Sequence, residues 1–175
     1  MIFFSLSSYA QPRFSYQGSA VFPTGYLEDA VEVGFGNTIN ASVNVFYSNL
    51  EVTASIGYYF CGFKEDLPDY NFSLKTIPIL VGGRINLTDH DFIPYLGIQA
   101  GIYLNEYNLE IDDKIFGLYT AKTKENHLGA AVELGFRMNL SPTFDIDVNA
   151  KYNLLKNKYI ARSFVLIQAG FAIRV

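Results

Sequence analysis

Apolar and polar residues alternate with a period of two along most of the chain after residue 10. Successive side chains of a β-strand point to opposite faces, so this alternation predicts strands with one apolar and one polar face. Each segment is about 10 residues long, the length that a tilted strand needs to cross a lipid bilayer. The alternation predicts eight strands: 13–22, 38–47, 50–60, 76–85, 95–104, 127–138, 144–152 and 165–175. Pro78 lacks a ladder donor and predicts a local bulge in the fourth strand.

The links between these segments alternate in length. Long links are expected at residues 23–37, 61–72, 105–126 and 153–162, and tight ones at 48–49, 86–91 and 141–142. The long links hold 18 of the 30 charged residues, which is where water is expected. Long loops at one end and tight turns at the other are typical of an antiparallel up-and-down barrel in a bacterial outer membrane. We therefore predict an all-β fold, an eight-stranded transmembrane barrel with four long loops and three tight turns.

The charges of the segments decide which face points outward. They lie on the polar face, while the apolar face of the central strands carries none. If the polar face met hydrocarbon, its charges would cost on the order of 10 kcal/mol. Small polar side chains also suit the narrow lumen of an eight-stranded barrel. The inward charges predicted to form an ion network are Arg84, Glu133, Arg137, Asp145, Asp147 and Lys151.

Within this network the hairpin that turns at residues 141–142 predicts two cross-strand ion pairs. Counting back from the turn places Arg137 beside Asp145 or Asp147, and Glu133 beside Lys151. Enclosed charges are costly unless they are paired, so we expect a structural role. The functional alternative is a polar passage for protons or small solutes.

Composition narrows the class of protein. Half of the residues are hydrophobic and 17% are charged, against about 25% in ordinary soluble domains. No apolar run reaches the roughly 18 residues of a transmembrane helix. The net charge of −4 and the lack of a basic run give no support for a nucleic-acid partner. Cys61 is the single cysteine and cannot form an internal disulfide.

The first ten residues differ from the rest. A short apolar run, Ile2–Leu6, is followed by small residues at Ser8 and Ala10, which fit a signal-peptide cleavage site before Gln11. We expect residues 1–10 to be the remnant of a signal peptide and residues 11–175 to form a single outer-membrane β-barrel domain.

The link at residues 105–126 combines apolar alternation with charge. This pattern predicts an exposed strand pair above the membrane surface, which could bind another protein through its edge. A loop packed on its own barrel rim is the alternative, and the sequence leaves both open. The candidate partner-contact residues are Tyr107, Leu109, Ile111, Ile115, Phe116 and Tyr119.

Several strings of residues resemble a known family. They are Gly18–Gly25 (GSAVFPTG), Ile77–Arg84 (IPILVGGR) and Ile93–Gly101 (IPYLGIQAG). The chain resembles the superfamily of small outer-membrane barrels that includes the OmpA barrel, OmpX and OmpW. The resemblance implies insertion by the outer-membrane assembly machinery, although members usually end in an aromatic residue and this chain ends in Ala172-Ile173-Arg174-Val175.

Some barrels of this kind modify lipid A, and the deacylase type carries His-x-Ser on one strand. Here the string is His127-Leu128-Gly129, so we expect no enzyme and no catalytic residues. His90 lies in a short turn, and two histidines are too few for a His-based metal cluster. Glu110, Asp112 and Asp113 could hold calcium, but a solvated acidic loop is the commoner arrangement. We expect no cofactor and no metal.

The sequence thus predicts a non-enzymatic protein of the bacterial cell outer membrane with an envelope-structural or surface-interaction, adhesion-type role through its long loops. Two alternatives remain: a narrow transport path for small molecules, and a soluble lipocalin-like carrier. The expected partners are outer-membrane lipid, the assembly machinery and an extracellular protein or small-molecule ligand.

Overall fold

The computed structural model shows a closed barrel of eight antiparallel strands. It describes residues 12–25, 28, 31–45, 49–62, 70–88, 90–113, 117–156 and 162–175. Each strand pairs with its neighbours in sequence, and the last strand pairs with the first. The predicted fold class is confirmed. The strands are β1 (Arg13–Thr24), β2 (Gly34–Asn44), β3 (Leu50–Gly62), β4 (Tyr70–Asn86), β5 (Phe92–Asp113), β6 (Gly117–Asn139), β7 (Phe144–Lys156) and β8 (Arg162–Arg174).

The register fixes how steeply the strands tilt. One row of paired, outward residues can be followed once around the barrel. It begins at Ile85 on β4 and returns to β4 at Lys75, a displacement of 85 − 75 = 10 residues. With about 3.3 Å per residue and about 4.8 Å between strands, this displacement gives a tilt of about 40°. The residues of the row are Ile85, Leu96, Leu134, Ala150, Ile167, Ala20, Phe35, Phe60 and Lys75.

The apolar side chains lie on the outside of the barrel. Val132 and Ile98 are 53% and 63% exposed, whereas Glu51 and Arg137 are 0% exposed in the lumen. This is the predicted orientation, and it makes the lipocalin-like alternative wrong, because a soluble carrier would turn its aliphatic side chains inward. Within the described residues no helix is long and apolar enough to cross a membrane.

The lumen is divided into two zones. Charged side chains fill the part near the tight turns, which is the turn end of the barrel. At the opposite loop end the inward side chains are mostly apolar, which the sequence analysis did not predict. This apolar luminal cluster includes Val21, Tyr59, Leu74, Leu80, Tyr103, Phe164 and Leu166.

The prediction of long loops was partly wrong. β2 already begins at Gly34, inside the link assigned to residues 23–37. β5 continues to Asp113 and β6 begins at Gly117, so most of the link at residues 105–126 is strand, which agrees with the strand pair that was one of the two predicted alternatives. Outward positions there such as Glu106, Lys122 and Lys124 are charged, so these strands continue beyond the apolar band. The part of the protein that projects beyond the apolar band at the loop end therefore consists largely of strands.

The bulge expected at Pro78 was also wrong. Ile56 pairs with Ile79 and Tyr59 with Thr76, so the same register continues on both sides of the proline. Only the pairs between these two are missing. On its other side Pro78 pairs with Tyr103 on β5. The missing donor thus interrupts the β3–β4 ladder without inserting a residue.

Candidate functional site

Glu51 on β3 is the centre of the ion network in the lumen. Its carboxylate accepts hydrogen bonds from Arg13 at 2.8 Å, from Asn86 at 2.9 Å and from Arg137 at 3.0 and 3.2 Å. These donors come from three other strands, β1, β4 and β6. Glu51 is not among the six residues that were predicted from the sequence to form this network. A single carboxylate therefore connects strands on opposite sides of the barrel.

Arg84 connects the next group of charges. Its guanidinium lies 3.0 Å from Glu133 and 3.5 Å from Asp147. It also lies over the ring of Tyr95, 3.9 Å from the centroid, and Tyr95 donates a hydrogen bond of 2.5 Å to Asp147. The aromatic face and the two carboxylates together surround a cation that is almost fully buried.

The structure brings the predicted hairpin charges together. Glu133 pairs with Lys151 across β6 and β7, with 3.1 Å between carboxylate and ammonium. Arg137 is paired with Asp147, and its Nε lies 3.8 Å from that carboxylate. Asp145 instead binds Arg13 at 3.1 Å and Arg174 at 2.5 Å. Every charge of the predicted network therefore has an opposite charge within 4 Å, which offsets the cost of enclosing it.

Glycines on the inner face make room for these large side chains. A Cβ at Gly135 would lie 2.6 Å from the ring of its cross-strand partner Tyr95, and one at Gly97 would lie 2.5 Å from the carboxylate of Glu133. Both distances are far below van der Waals contact. Glycine at these two positions allows Tyr95 and Glu133 to lie flat against the barrel wall.

The apolar luminal cluster lines a small, partly open cavity of about 20 Å³. Its walls are almost entirely apolar, and Cys61 is one of them. A volume of this size holds about one water molecule. The loop end of the lumen is thus filled by side chains, as the turn end is. The other lining residues are Val21, Pro23, Val31, Tyr59, Leu74, Thr76 and Phe164.

Three strands rise above the rest at the loop end. β5 and β6 pair as far as Asp113 and Gly117, and β4 pairs with β5 as far as Tyr70. On its other side β6 pairs with β7 only from Leu128 onward. Residues 117–127 of β6 therefore face no described strand, and we call this stretch the open edge. We call the projecting parts of the three strands the rim sheet (residues 70–76, 105–113 and 117–127).

The two faces of the rim sheet differ in character. On the inner face Phe72 stacks on Tyr107 with 6.2 Å between ring centroids, and both pack against the apolar luminal cluster. Arg162 on β8 donates a hydrogen bond to the Tyr107 hydroxyl. The outer face is polar, and Lys124, 77% exposed, lies 3.5 Å from Glu106.

The structure separates the candidate partner-contact residues. Tyr107 and Leu109 are half-buried on the inner face. Ile111 and Tyr119 are paired with each other near the top of the rim sheet. Ile115 and Phe116 lie outside the described residues, as does the expected signal-peptide remnant at residues 1–10. Tyr107 is thus used by the packing of the rim sheet itself.

His127 faces the lumen side of the rim. Its Nε2 lies 3.1 Å from Glu125, which also binds Arg162 at 3.3 Å. In the described part of the chain, no three histidine, cysteine or acidic side chains are grouped to hold a metal ion. The side chains of Glu110, Asp112 and Asp113 are outside that part.

Aliphatic side chains outside, buried charges in the lumen and a tilt of about 40° define the class of transmembrane β-barrels. The chain belongs to the outer membrane protein beta-barrel domain family, whose sequence model matches residues 1–171. It is accordingly a protein of the bacterial outer membrane. No curated protein matches the sequence.

Solved structures share the fold at low identity. Neisserial surface protein A is 18% identical with a TM-score of 0.66, and the match covers 96% of this chain and 100% of that one. Ail of Yersinia pestis, in complex with the heparin analogue sucrose octasulfate, is 18% identical with a TM-score of 0.60, over 95% and 97% of the two chains. A major outer membrane protein from Thermus thermophilus is 12% identical with a TM-score of 0.60, over 94% and 99%. These similarities establish the architecture.

Proposed function

We propose that this protein is a non-enzymatic adhesion-type protein that binds an extracellular protein through the rim sheet. The observation that carries the proposal is the open edge of β6. The backbone of a strand edge presents unpaired N–H and C=O groups, and an extended segment of another protein can add to it as a further strand. The long strands place this edge beyond the lipid-facing band.

The side chains along the open edge favour a particular partner. Lys122 and Lys124 are exposed on its outer face. Lysines on an edge disfavour pairing between two copies of the same edge, because like charges would lie close together. They attract an acidic extended segment instead. The partner we propose is therefore a protein with an exposed, acidic strand or tail.

Truncating the hairpin tests this function. Residues 108–122 are replaced by Asn-Gly, a two-residue turn that joins Tyr107 to Thr123, which are paired in the barrel. A non-adherent laboratory bacterium displaying either protein is then applied to wells coated with basement-membrane extract. We expect the full-length protein to confer adhesion and the truncated one to lose it, while both still fold, as judged by the mobility shift between unboiled and boiled samples.

Charge reversal at the edge is a finer test. The double variant Lys122→Glu/Lys124→Glu is expected to reduce adhesion strongly, whereas Glu32→Lys, an exposed charge reversal at the loop end but outside the rim sheet, leaves it unchanged. If adhesion survives both the truncation and the charge reversal, the open edge is not the binding surface. If the bacterium does not adhere at all but loss of the protein sensitises its parent strain to detergent, an envelope-structural role replaces the proposal.

A further inference from the structure

Asn37 on β2 is a polar side chain on the lipid-facing side of the barrel. It is exposed, and it pairs with Gly18 on β1 and Tyr58 on β3, both of which also face outward. Along its own strand, Phe35 precedes it and Ile39 follows it on the same face. The other described outward positions at comparable depth carry aliphatic or aromatic side chains or glycine.

The depth of Asn37 follows from the tilt. At about 3.3 Å per residue and a tilt of about 40°, each residue rises about 2.5 Å along the barrel axis. The outward residues from Val33 to Val43 therefore span about 25 Å, the height of the apolar band of such barrels. Asn37 lies about 10 Å from the loop-end edge of this band and about 15 Å from the other edge. It is within the hydrocarbon.

A carboxamide at this depth has nothing in the lipid to bind. Acyl chains offer neither donors nor acceptors, and an amide without partners in an apolar medium is strongly disfavoured. Within the described chain the side chain of Asn37 makes no hydrogen bond, although Gly18 and Tyr58 lie directly beside it on the neighbouring strands. Lipid ester and headgroup atoms lie at the edges of the band, about 10 Å away. Another protein at the same depth can supply both a donor and an acceptor to this group.

The surface beside Asn37 allows close approach of such a partner. Gly18 pairs with Ala169 on β8, so the row next to the carboxamide consists of two small residues. A Cβ at Gly18 would have no atom nearer than 3.9 Å, which shows that the space outside it is open. Tyr16 and Phe35, 55% and 70% exposed, flank this depression with large apolar surfaces.

We propose that the face formed by β8, β1 and β2 pairs with the same face of a second copy, with the two Asn37 carboxamides hydrogen-bonded to each other. One carboxamide carries both a donor and an acceptor, so two of them related by a two-fold axis satisfy each other. A two-fold axis brings the same patch of both copies together, and an axis that passes beside Asn37 places the two carboxamides next to each other. Polar side chains that hydrogen-bond across an interface associate membrane-spanning helices in the same way.

Energy transfer between labelled copies in lipid vesicles tests the pairing. The label is placed on the exposed turn by Ser141→Cys in a Cys61→Ala background, and the lipid-to-protein ratio is varied. We expect Asn37→Leu to weaken the dimer about tenfold. Asn37→Gln, which keeps both the donor and the acceptor, is expected to retain it, and Asn126→Leu, an outward-facing amide at the loop end, to leave it unchanged. The Asn37→Leu barrel should fold normally, because the substitution removes a polar group from hydrocarbon.

Two results would overturn this inference. The first is energy transfer no greater than random proximity predicts for the parent protein at every lipid ratio. The second is pairing by Asn37→Leu that equals the parent. A photo-reactive phenylalanine analogue in place of Ile39 identifies the occupant in native membranes: an adduct of twice the chain mass supports self-pairing, and an adduct with a different protein alone contradicts it.

Discussion

Arg137 donates hydrogen bonds of 3.0 and 3.2 Å to both oxygens of Glu51, although 86 positions separate the two residues and neither side chain is exposed. The contact crosses the lumen from β6 to β3. Such a bidentate pair fixes the distance and the rotation between two strands that are not hydrogen-bonded to each other. It acts as an internal brace for the turn end of the barrel.

Removing one member of this pair should be costly. Glu51→Gln leaves the buried Arg137 and Arg13 without a full counter-charge, and we expect a loss of about 3–5 kcal/mol in the free energy of unfolding. Glu106→Gln, which breaks the exposed pair with Lys124, should cost at most about 1 kcal/mol. Urea titration of the folded barrels in phospholipid vesicles measures both. Equal losses in the two variants would contradict a special role for the lumen pair.

The close approach of Tyr95 to Gly135 leads to a second prediction. Gly135→Ala adds a Cβ that would lie 2.6 Å from the ring of Tyr95, and the ring cannot withdraw without disturbing its hydrogen bond to Asp147. We expect a loss of about 1–3 kcal/mol in the same titration. Gly83→Ala is the matched control, because its Cβ would meet only a carbonyl oxygen at 3.6 Å. If Gly135→Ala left the free energy of unfolding unchanged, Tyr95 and the strands around it would have to move at little cost.

The lipid-facing side can be tested by introducing a charge at two depths. Val132 lies in the middle of the outward face of β6. Val132→Arg should lower the free energy of unfolding from phospholipid vesicles by about 2–4 kcal/mol. Asn126→Arg, on the same face of the same strand at the loop end, should cost about 0–1 kcal/mol. If the cost did not depend on position, the face would not be in contact with hydrocarbon.

The packed lumen predicts that small solutes do not pass. Arginine, glutamate and tyrosine side chains fill the turn end, and the apolar luminal cluster fills the loop end. Vesicles that contain the protein should swell no faster in an isotonic solution of a small sugar than empty vesicles do, whereas a large porin gives rapid swelling. Swelling of porin size would support the narrow transport path in place of the proposed binding role.

Much of this architecture could be predicted from the sequence because the side-chain period of a strand is two. That period places Arg84 and Lys151 on the inner face, and the turn at residues 141–142 places Glu133 opposite Lys151. The central position of Glu51 could not be predicted in this way. Its partners lie across the lumen, and their distance depends on the displacement of 10 residues around the barrel, which no single hairpin reveals.

The missed features have local causes. Residues 34–37 read as a loop because Gly34, Gly36 and Asn37 are common in turns. Pairing on both sides by β1 and β3 outweighs that preference. Leu80 and Leu166 interrupt the polar side of their strands and were not recognised as the start of an apolar zone. The strand pair of the rim sheet was one of two alternatives that the sequence left open, and its polar outer face carries no hydrophobic period that could decide between them.

The apolar luminal cluster has an electrical consequence. It places a low-dielectric layer between the charges around Glu51 and the loop end of the lumen, while Arg13 and Arg174, 12% and 20% exposed, leave the turn end in touch with water. Ions of the medium at the turn end therefore screen the charges around Glu51 more strongly than ions at the loop end do. Changes of salinity at the loop end should act mainly on the exposed lysines of the open edge.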